Sequence, residues 1–171
     1  TIAGSTAVCS GTNSTLLTLS GHTGSVVKWQ YSTDNWVTPI DIVNTTTTYT
    51  ATNLTLQTKY LAVVQSGVCS AVNSADATIT IDPVSVGGAI AGSATVCAVT
   101  NSTLLTLSGY TGTIVKWQYS IDNWVTPVDI VNTAATYTAT NLTATTKYQA
   151  VIQSGVCPTA NSTDATVTVN P

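Results

Sequence analysis

The stretch "VKWQY", Val27 to Tyr31, alternates apolar and polar residues with a period of two. In an extended chain that spacing places Val27, Trp29 and Tyr31 on one face and Lys28 and Gln30 on the other, the pattern of a strand with one buried side. The same five letters return as Val115 to Tyr119, 88 positions later. Working outward from them, residues 2–83 align with 90–171 without a gap, and 60 of the 82 positions are identical. A repeat of that length is a complete folding unit, so the chain reads as two domains: 1–83, a short linker 84–89, and 90–171. The linker "VSVGGA" contains Gly87-Gly88 and reads as a short hinge.

The rest of each copy is also written in strands. Thr contributes 36 of 171 residues, while Glu, Arg and Met are absent; β-branched side chains suit a pleated surface, and the missing residues are strong helix formers. "ATITI", Ala77 to Ile81, repeats the two-residue period, and Ser20-Gly21, Thr23-Gly24, Asp34-Asn35, Thr38-Pro39 and Ser66-Gly67 punctuate the runs. Strands are expected near 2–9, 14–20, 25–32, 37–43, 46–52, 58–66 and 76–82, and again 88 residues on. About seven short strands per copy predict an all-β chain of two tandem immunoglobulin-like antiparallel β-sandwich domains. Trp29 and Trp117 are the expected core tryptophans. Tyr60 and Tyr148, each six residues after a Leu and two after a Thr, resemble tyrosine corners and complete the expected core.

Cys9, Cys69, Cys97 and Cys157 allow three pairings. Only Cys9 with Cys69 and Cys97 with Cys157 gives both copies the same internal bond, closing loops of about 60 residues worth roughly 4 kcal/mol each. Such bonds predict an oxidising, extracellular location. A zinc site is disfavoured because no CxxC pair or nearby His accompanies the cysteines.

Charge and chemistry exclude several classes. Four Lys and seven Asp give a net charge of −3, with no basic surface for nucleic acid or anionic lipid. No apolar run approaches the roughly 20 residues of a membrane span, so no direct membrane insertion is expected. The start at Thr1 reads as a processed terminus or the edge of an excised piece. His22, the only His, becomes Tyr110 in the second copy and falls in a hairpin loop, where it reads as a solvated residue. No catalytic residue, cofactor or metal site is therefore expected, and the chain is not read as an enzyme. Lys28 reads as a solvated lysine and not as an isopeptide partner. Asp34, Asn35, Asp41 and Asp82 lack the spacing of a calcium loop and read as turn residues. Trp36 and Trp124 follow an Asp-Asn turn and are the possible ligand contacts, with indoles able to stack on a sugar ring; packing on a sheet is the competing reading. "NST" at Asn13, Asn101 and Asn161, "NTT" at Asn44 and "NLT" at Asn53 and Asn141 fit the glycosylation pattern, which so Thr-rich a chain produces by chance.

The order "C-x-G-x-N-S-x-x-L-T-L-S-G", "V-x-K-W-Q-x-S-x-D", "T-x-Y-T-A-T-N-L-T" and "T-x-Y-x-A-V-x-Q-S-G-V-C" resembles the immunoglobulin-like tandem repeats of large secreted Bacteroidota surface adhesins of the gliding-motility type. The resemblance spans essentially the whole chain; the second copy departs from it at Val99 and Pro158, both in expected loops. It implies type IX export, display on the bacterial cell surface, and a structural or adhesive role as one segment of a long array. The partners implied are neighbouring repeats of the same or adjacent chains, and surface polysaccharide. Two other roles stay open: a self-polymerising extracellular filament subunit, and a carbohydrate-binding accessory module of a secreted enzyme.

Overall fold

In the computed structural model, which describes residues 1–171, every regular element is a strand. The chain divides into two compact units, Thr1–Asp82 and Pro83–Pro171. The first contains β1 (Ile2–Ala3), β2 (Thr6–Cys9), β3 (Ser14–Leu19), β4 (Ser25–Ser32), β5 (Ile40–Ile42), β6 (Thr48–Thr52), β7 (Thr58–Gln65), β8 (Val72–Asn73) and β9 (Ala77–Asp82). The second repeats them as β10 (Ala89–Ala91), β11 (Ala94–Cys97), β12 (Ser102–Ser108), β13 (Thr113–Ser120), β14 (Val128–Ile130), β15 (Thr136–Thr140), β16 (Thr146–Gln153), β17 (Ala160–Asn161) and β18 (Ala165–Asn170).

Each unit is a sandwich of two sheets. In the first unit the orders are β1-β3-β6 and β2-β9-β7-β4-β5, with the short β8 pairing β7. The expected first strand is in fact two. Gly4, at φ 118°, carries the chain from one sheet to the other, and a Cβ there would lie 2.6 Å from the Leu16 carbonyl oxygen. Beyond that crossing β2 pairs β9 in parallel, so the sandwich is not wholly antiparallel.

The period-two reading of β4 also breaks at one point. A bulge between Val26 and Lys28 on the β4–β7 ladder reverses the alternation, so Val26 is buried and Val27 is exposed. Past the bulge the pattern holds, and Trp29, 0% exposed, fills the space between the sheets against Leu17, Ala51, Tyr60, Ala62 and Ile79. Its indole N–H donates to the Thr46 carbonyl at 2.9 Å, which removes the cost of burying a donor. Tyr49 stands 6.0 Å from Trp29 and 5.5 Å from Tyr60, and Tyr31 stands 6.2 Å from Tyr60, ring centre to ring centre. Trp117, Tyr137, Tyr148 and Tyr119 form the same chain of rings in the second unit. Tyr60 and Tyr148 are core residues, but Tyr60 is held by neighbouring rings and not by the hydroxyl-to-backbone bond of a tyrosine corner.

The register contradicts the expected disulfides. Cys9 lies opposite Asp82, three residues past Ile79, and Ile79 lies opposite Thr58 at the start of β7. Cys69 lies in the turn beyond Gln65, where that strand ends, and Gln65 Nε2 donates to its carbonyl. The two cysteines therefore sit at opposite ends of the sandwich. About ten residues of strand separate them, roughly 33 Å at ~3.3 Å per residue, whereas a disulfide requires Cα atoms within about 7 Å. Cys97, opposite Asn170, and Cys157, in the turn after Gln153, are divided in the same way. Accordingly Cys69 and Cys97 are exposed free thiols, while Cys9 and Cys157 are disulfide-bonded. Repeat symmetry carries no information about where the ends of β7 and β9 fall, and the register decides the pairing.

The segment expected to act as a hinge is tied down within the second unit. Val86 and Thr111 exchange backbone hydrogen bonds of 3.2 and 3.0 Å, Ser85 Oγ accepts from Ser154 N at 2.9 Å, and the Gly88 carbonyl accepts from Thr163 N at 3.0 Å. A Cβ on Gly87 would lie 1.9 Å from the Asn161 carbonyl oxygen, so the glycine permits close approach and does not serve flexibility.

One side chain locks the opposite end of each unit. Asn13 Nδ2 donates to the carbonyls of Cys9 and Leu54, both at 2.8 Å, and Asn13 Oδ1 accepts from Leu54 N at 2.9 Å. Asn101 repeats all three bonds. The "NST" match at these positions is thus explained by the backbone it clamps, and glycosylation of Nδ2 is incompatible with the clamp. Asn13→Ala is expected to destabilise the first unit by about 2–3 kcal/mol, because part-buried carbonyls and an N–H lose their partner. Hydrogen exchange resolved by unit checks this: protection falls in β4 and β7 and is retained in β13 and β16.

Candidate functional site: the tryptophan turn

After Ser32 the chain makes the same turn in both copies, and the turn presents the two tryptophans singled out from sequence. Asn35 and Trp36 are both left-handed, at φ 57° and 70°, as are Asn123 and Trp124 at 58° and 70°. Asn tolerates that conformation, but a bulky Trp does so only when its surroundings hold it, at a cost of order 1–3 kcal/mol. What holds it is a set of short polar bonds. The buried Ser32 Oγ accepts from Trp36 N at 2.8 Å and from Asp34 N at 3.2 Å, and donates to Asp34 Oδ1 at 2.7 Å. Asp34 in turn accepts from Thr38 N at 3.1 Å and from the Thr38 hydroxyl. Ser120, Asp122 and Thr126 do the same for Trp124.

Trp36 and Trp124 are half-buried, neither sealed in the core nor fully open to solvent. Trp36 Nε1 donates to Asp76 Oδ2 at 3.2 Å, and Trp124 Nε1 to Asp164 Oδ2 at 3.3 Å. Lys59 and Lys147 stand 3.3 Å from the same carboxylates. Beside Trp36 lies an open concavity of about 540 Å³, walled by Gln30, Leu61, Asn73 and Asp76. An indole edge, a carboxylate and two amides are groups that can meet a hydroxyl-rich ligand. Asp76 and Asp164 were not assigned this role from sequence; each stays Asp between the copies at a spacing of 40 residues from its Trp, the one signal that pointed to them.

A second concavity recurs in both copies where the sheets meet near the start of β7 and β16. Its volumes are about 340 and 310 Å³, and Tyr31, Tyr49 and Tyr60 line one, Tyr119, Tyr137 and Tyr148 the other. Burial pushes the Tyr60 and Tyr148 hydroxyls up to about 12, so they stay neutral donors.

The carboxylates carry the opposite sign of shift. The Thr38 and Ser32 hydroxyls hold Asp34 down at about 2, and Thr126 and Ser120 hold Asp122 at about 2. Lys28, with Gln30, lowers Asp41, and the Trp36 indole N–H, with Lys59, lowers Asp76. A general acid needs a raised carboxyl, and none of these supplies one. Lys28 is 2.7 Å from Asp41 at the surface, an ordinary exposed ion pair. Asp34 is held by Ser32 and Thr38 within the turn, and Asp41 by Lys28 and Gln30. His22 differs from its reading as a solvated residue: the residue is half-buried, and its Nδ1 is buried without a hydrogen-bond partner.

The two carboxyls held at about 2, Asp34 and Asp122, give a pH signature. Their stabilising bonds are fully present above the ordinary carboxylate pKa of 3.8 and are lost as pH falls from there through about 2. The melting temperature should therefore drop more steeply across that window in the native chain than in an Asp34→Asn, Asp122→Asn variant; parallel curves would contradict the assignment.

The fold is shared with solved structures that are distant in sequence. A structure described as "Marsupial T cell receptor" is 13% identical with a TM-score of 0.62, over 100% of this chain and 72% of that one. The bacteriophage RB49 Highly Immunogenic Outer Capsid protein, in its three N-terminal domains, is 13% identical with a TM-score of 0.61, over 100% and 69%. A chain from the complex of a mouse coronavirus receptor-binding domain with its murine receptor is 11% identical with a TM-score of 0.62, over 99% and 100%. At these identities the likeness concerns the fold alone, which is immunoglobulin-like in both units. No curated protein matches the sequence. One family model, described as "Domain of unknown function (DUF8696)", matches residues 1–83 and again 86–171, and the chain belongs to that family, one domain per copy.

Proposed function

We propose that the chain is a structural and adhesive segment of a bacterial cell-surface adhesin or fibre, a piece of stalk built from tandem immunoglobulin-like links. The observation that carries this reading is what the two copies keep. Trp29 and Trp117, the aromatic chains, the Asn clamps and the tryptophan turns are identical, while most differences lie on exposed strand faces and loops. Residues held only for packing, capping and turn geometry support selection for a fold that is repeated to gain length. The segment between the copies adds to this, since it is hydrogen-bonded into the unit that follows it. A disulfide and an immunoglobulin-like fold are consistent with an extracellular domain; the bacterial surface and the type IX route rest on the resemblance to the adhesin repeats. Surface display is tested by brief protease treatment of intact cells. The reading expects these repeats to be labelled by antibody before treatment and lost afterwards, while a cytoplasmic marker survives; repeats detected only after lysis would overturn it.

The half-exposed indole beside Asp76 favours a second reading, weak contact with polysaccharide, which repetition would strengthen through avidity. Titrating a glycan panel should then quench tryptophan fluorescence in the native chain, and Trp36→Ala with Trp124→Ala should abolish the response. An unchanged signal across the panel would remove polysaccharide as a partner.

A further inference from the structure

The tyrosine concavity of each unit is built from both of its sheets. Tyr31 and Tyr60 face each other across the β4–β7 ladder, and Tyr49 comes from β6 in the other sheet. The planes of Tyr31 and Tyr49 are tilted by 33° and 38° to that of Tyr60, so the three rings curve around one space and do not stack flat. The lip at Leu54 is fixed by the Asn13 clamp, which holds both its N–H and its carbonyl, and Thr58 Oγ1 donates to the Leu56 carbonyl at 2.9 Å. The cavity is therefore shaped before any ligand arrives, as small-molecule sites usually are. Its lining residues come from 31–60 in the first unit and from 119–148 in the second, so it involves neither end of the sequence and no residue of the other unit.

One group in this cavity has nothing in the protein to bond. Tyr60 is 3% exposed, and its surroundings supply burial and two other rings but no hydrogen bond to its hydroxyl. A hydroxyl in such a place is costly to leave unpaired. It is not sealed in, because the one side-chain polar atom that is both buried and unpartnered is His22 Nδ1. The access left to the Tyr60 hydroxyl is thus through the cavity that it lines. At the rim, Thr33, Thr52, Asn53 and Thr55 offer hydroxyl and amide groups that both donate and accept, and no charged side chain lines the cavity. Aromatic walls, a buried donor, a rim of mixed polarity and no charge fit a ring that is apolar on its faces and hydroxylated at its edge. A proline-rich peptide fits less well, since it lies across a row of aromatic clefts and brings acceptors without donors at its prolines; here three rings close on a single concavity.

We infer that the tyrosine concavity is a binding site for one pyranose ring of an uncharged glycan, whose C–H face lies on the tyrosine rings and one of whose oxygens accepts from the Tyr60 hydroxyl. The site is separate from the concavity beside Trp36, with which it shares no lining residue, and it does not rest on that indole. The two copies are unequal. Thr33 and Leu56, which line the first cavity, are replaced by Ile121 and Ala144, which do not line the second. The Thr146 hydroxyl also bears on that of Tyr148, whereas Tyr60 has no such neighbour. The first unit is therefore the tighter site.

The test is an NMR titration of the whole 171-residue chain, following the amides of Leu54 and Tyr60 and of Leu142 and Tyr148. The probes are maltotriose, cellotriose, laminaritriose, mannotriose and galactotriose, with trigalacturonic acid as the charged control. The inference expects saturable shifts with at least one neutral probe, tighter at Leu54 and Tyr60 than at Leu142 and Tyr148, and none with the charged one. Tyr60→Phe keeps the ring and removes the hydroxyl; it should weaken the first site about fivefold, the loss of one neutral hydrogen bond, and leave the second site unchanged as an internal control. Thr33→Ile, which installs the residue that the second copy already carries, should bring the first site toward the affinity of the second. Trp36→Ala with Trp124→Ala should leave all of these shifts in place. No saturable shift with any of the five neutral probes would overturn the inference, as would binding indifferent to both Tyr60→Phe and Thr33→Ile. Shifts abolished by the tryptophan variant would overturn it too, and would assign the sugar to the indole. None of these results bears on surface labelling of intact cells, so loss of this site and loss of the array reading are told apart.

Discussion

Everything in each unit is arranged around an indole with no access to water. Trp29 and Trp117 are fully buried, and truncating such a side chain to Ala costs about 3–5 kcal/mol, a large part of what a domain of this size has. The bulge beside Trp29 sets which strand face enters the core, Thr46 satisfies the indole N–H, and Tyr49 and Tyr60 fill the space alongside. A fold whose stability is concentrated at one central side chain can vary its exposed faces freely. Between the copies the core keeps Trp29 and its ring neighbours and changes only among aliphatic residues, as at Val26/Ile114, Val64/Ile152 and Ile79/Val167, while most of the other differences are exposed.

The sequence disclosed what depends on local pattern. Strand period, turn residues and the buried Trp29 were all legible, because alternation and turn chemistry act over a few neighbouring residues. What escaped it depends on register. The bulge at Val26/Lys28 exchanged the faces of Val26 and Val27, and no letter in "SVVKWQ" marks it. The cysteine pairing failed for the same reason: symmetry chose between combinations, but only the β7–β9 and β2–β9 registers show that Cys9 and Cys69 lie at opposite ends. The tryptophan turn lies between these cases. Asp34-Asn35 announced a turn, yet the left-handed Trp36 and its bond to Asp76 join residues 40 positions apart.

The surface fits a role in which contacts are few and repeated. Seven Asp and four Lys over 171 residues leave a nearly uncharged exterior rich in Thr, and all four Lys are engaged with Asp at 2.7–3.3 Å. Exposed ion pairs of this kind contribute little to stability. They do neutralise the surface, which limits long-range attraction to charged partners. Together with an inter-copy segment that is hydrogen-bonded into the unit that follows it, this surface is in keeping with the structural role proposed above.

The account's central claim is that the units are links in a longer array, and the mass of the native polypeptide tests it most directly. Protein carrying this sequence would be taken from cells, fully reduced, and measured by denaturing electrophoresis and mass spectrometry. The account predicts a single chain many times heavier than the 17.6 kDa of these 171 residues. A reduced mass close to that value would contradict it, leaving two domains as the whole polypeptide.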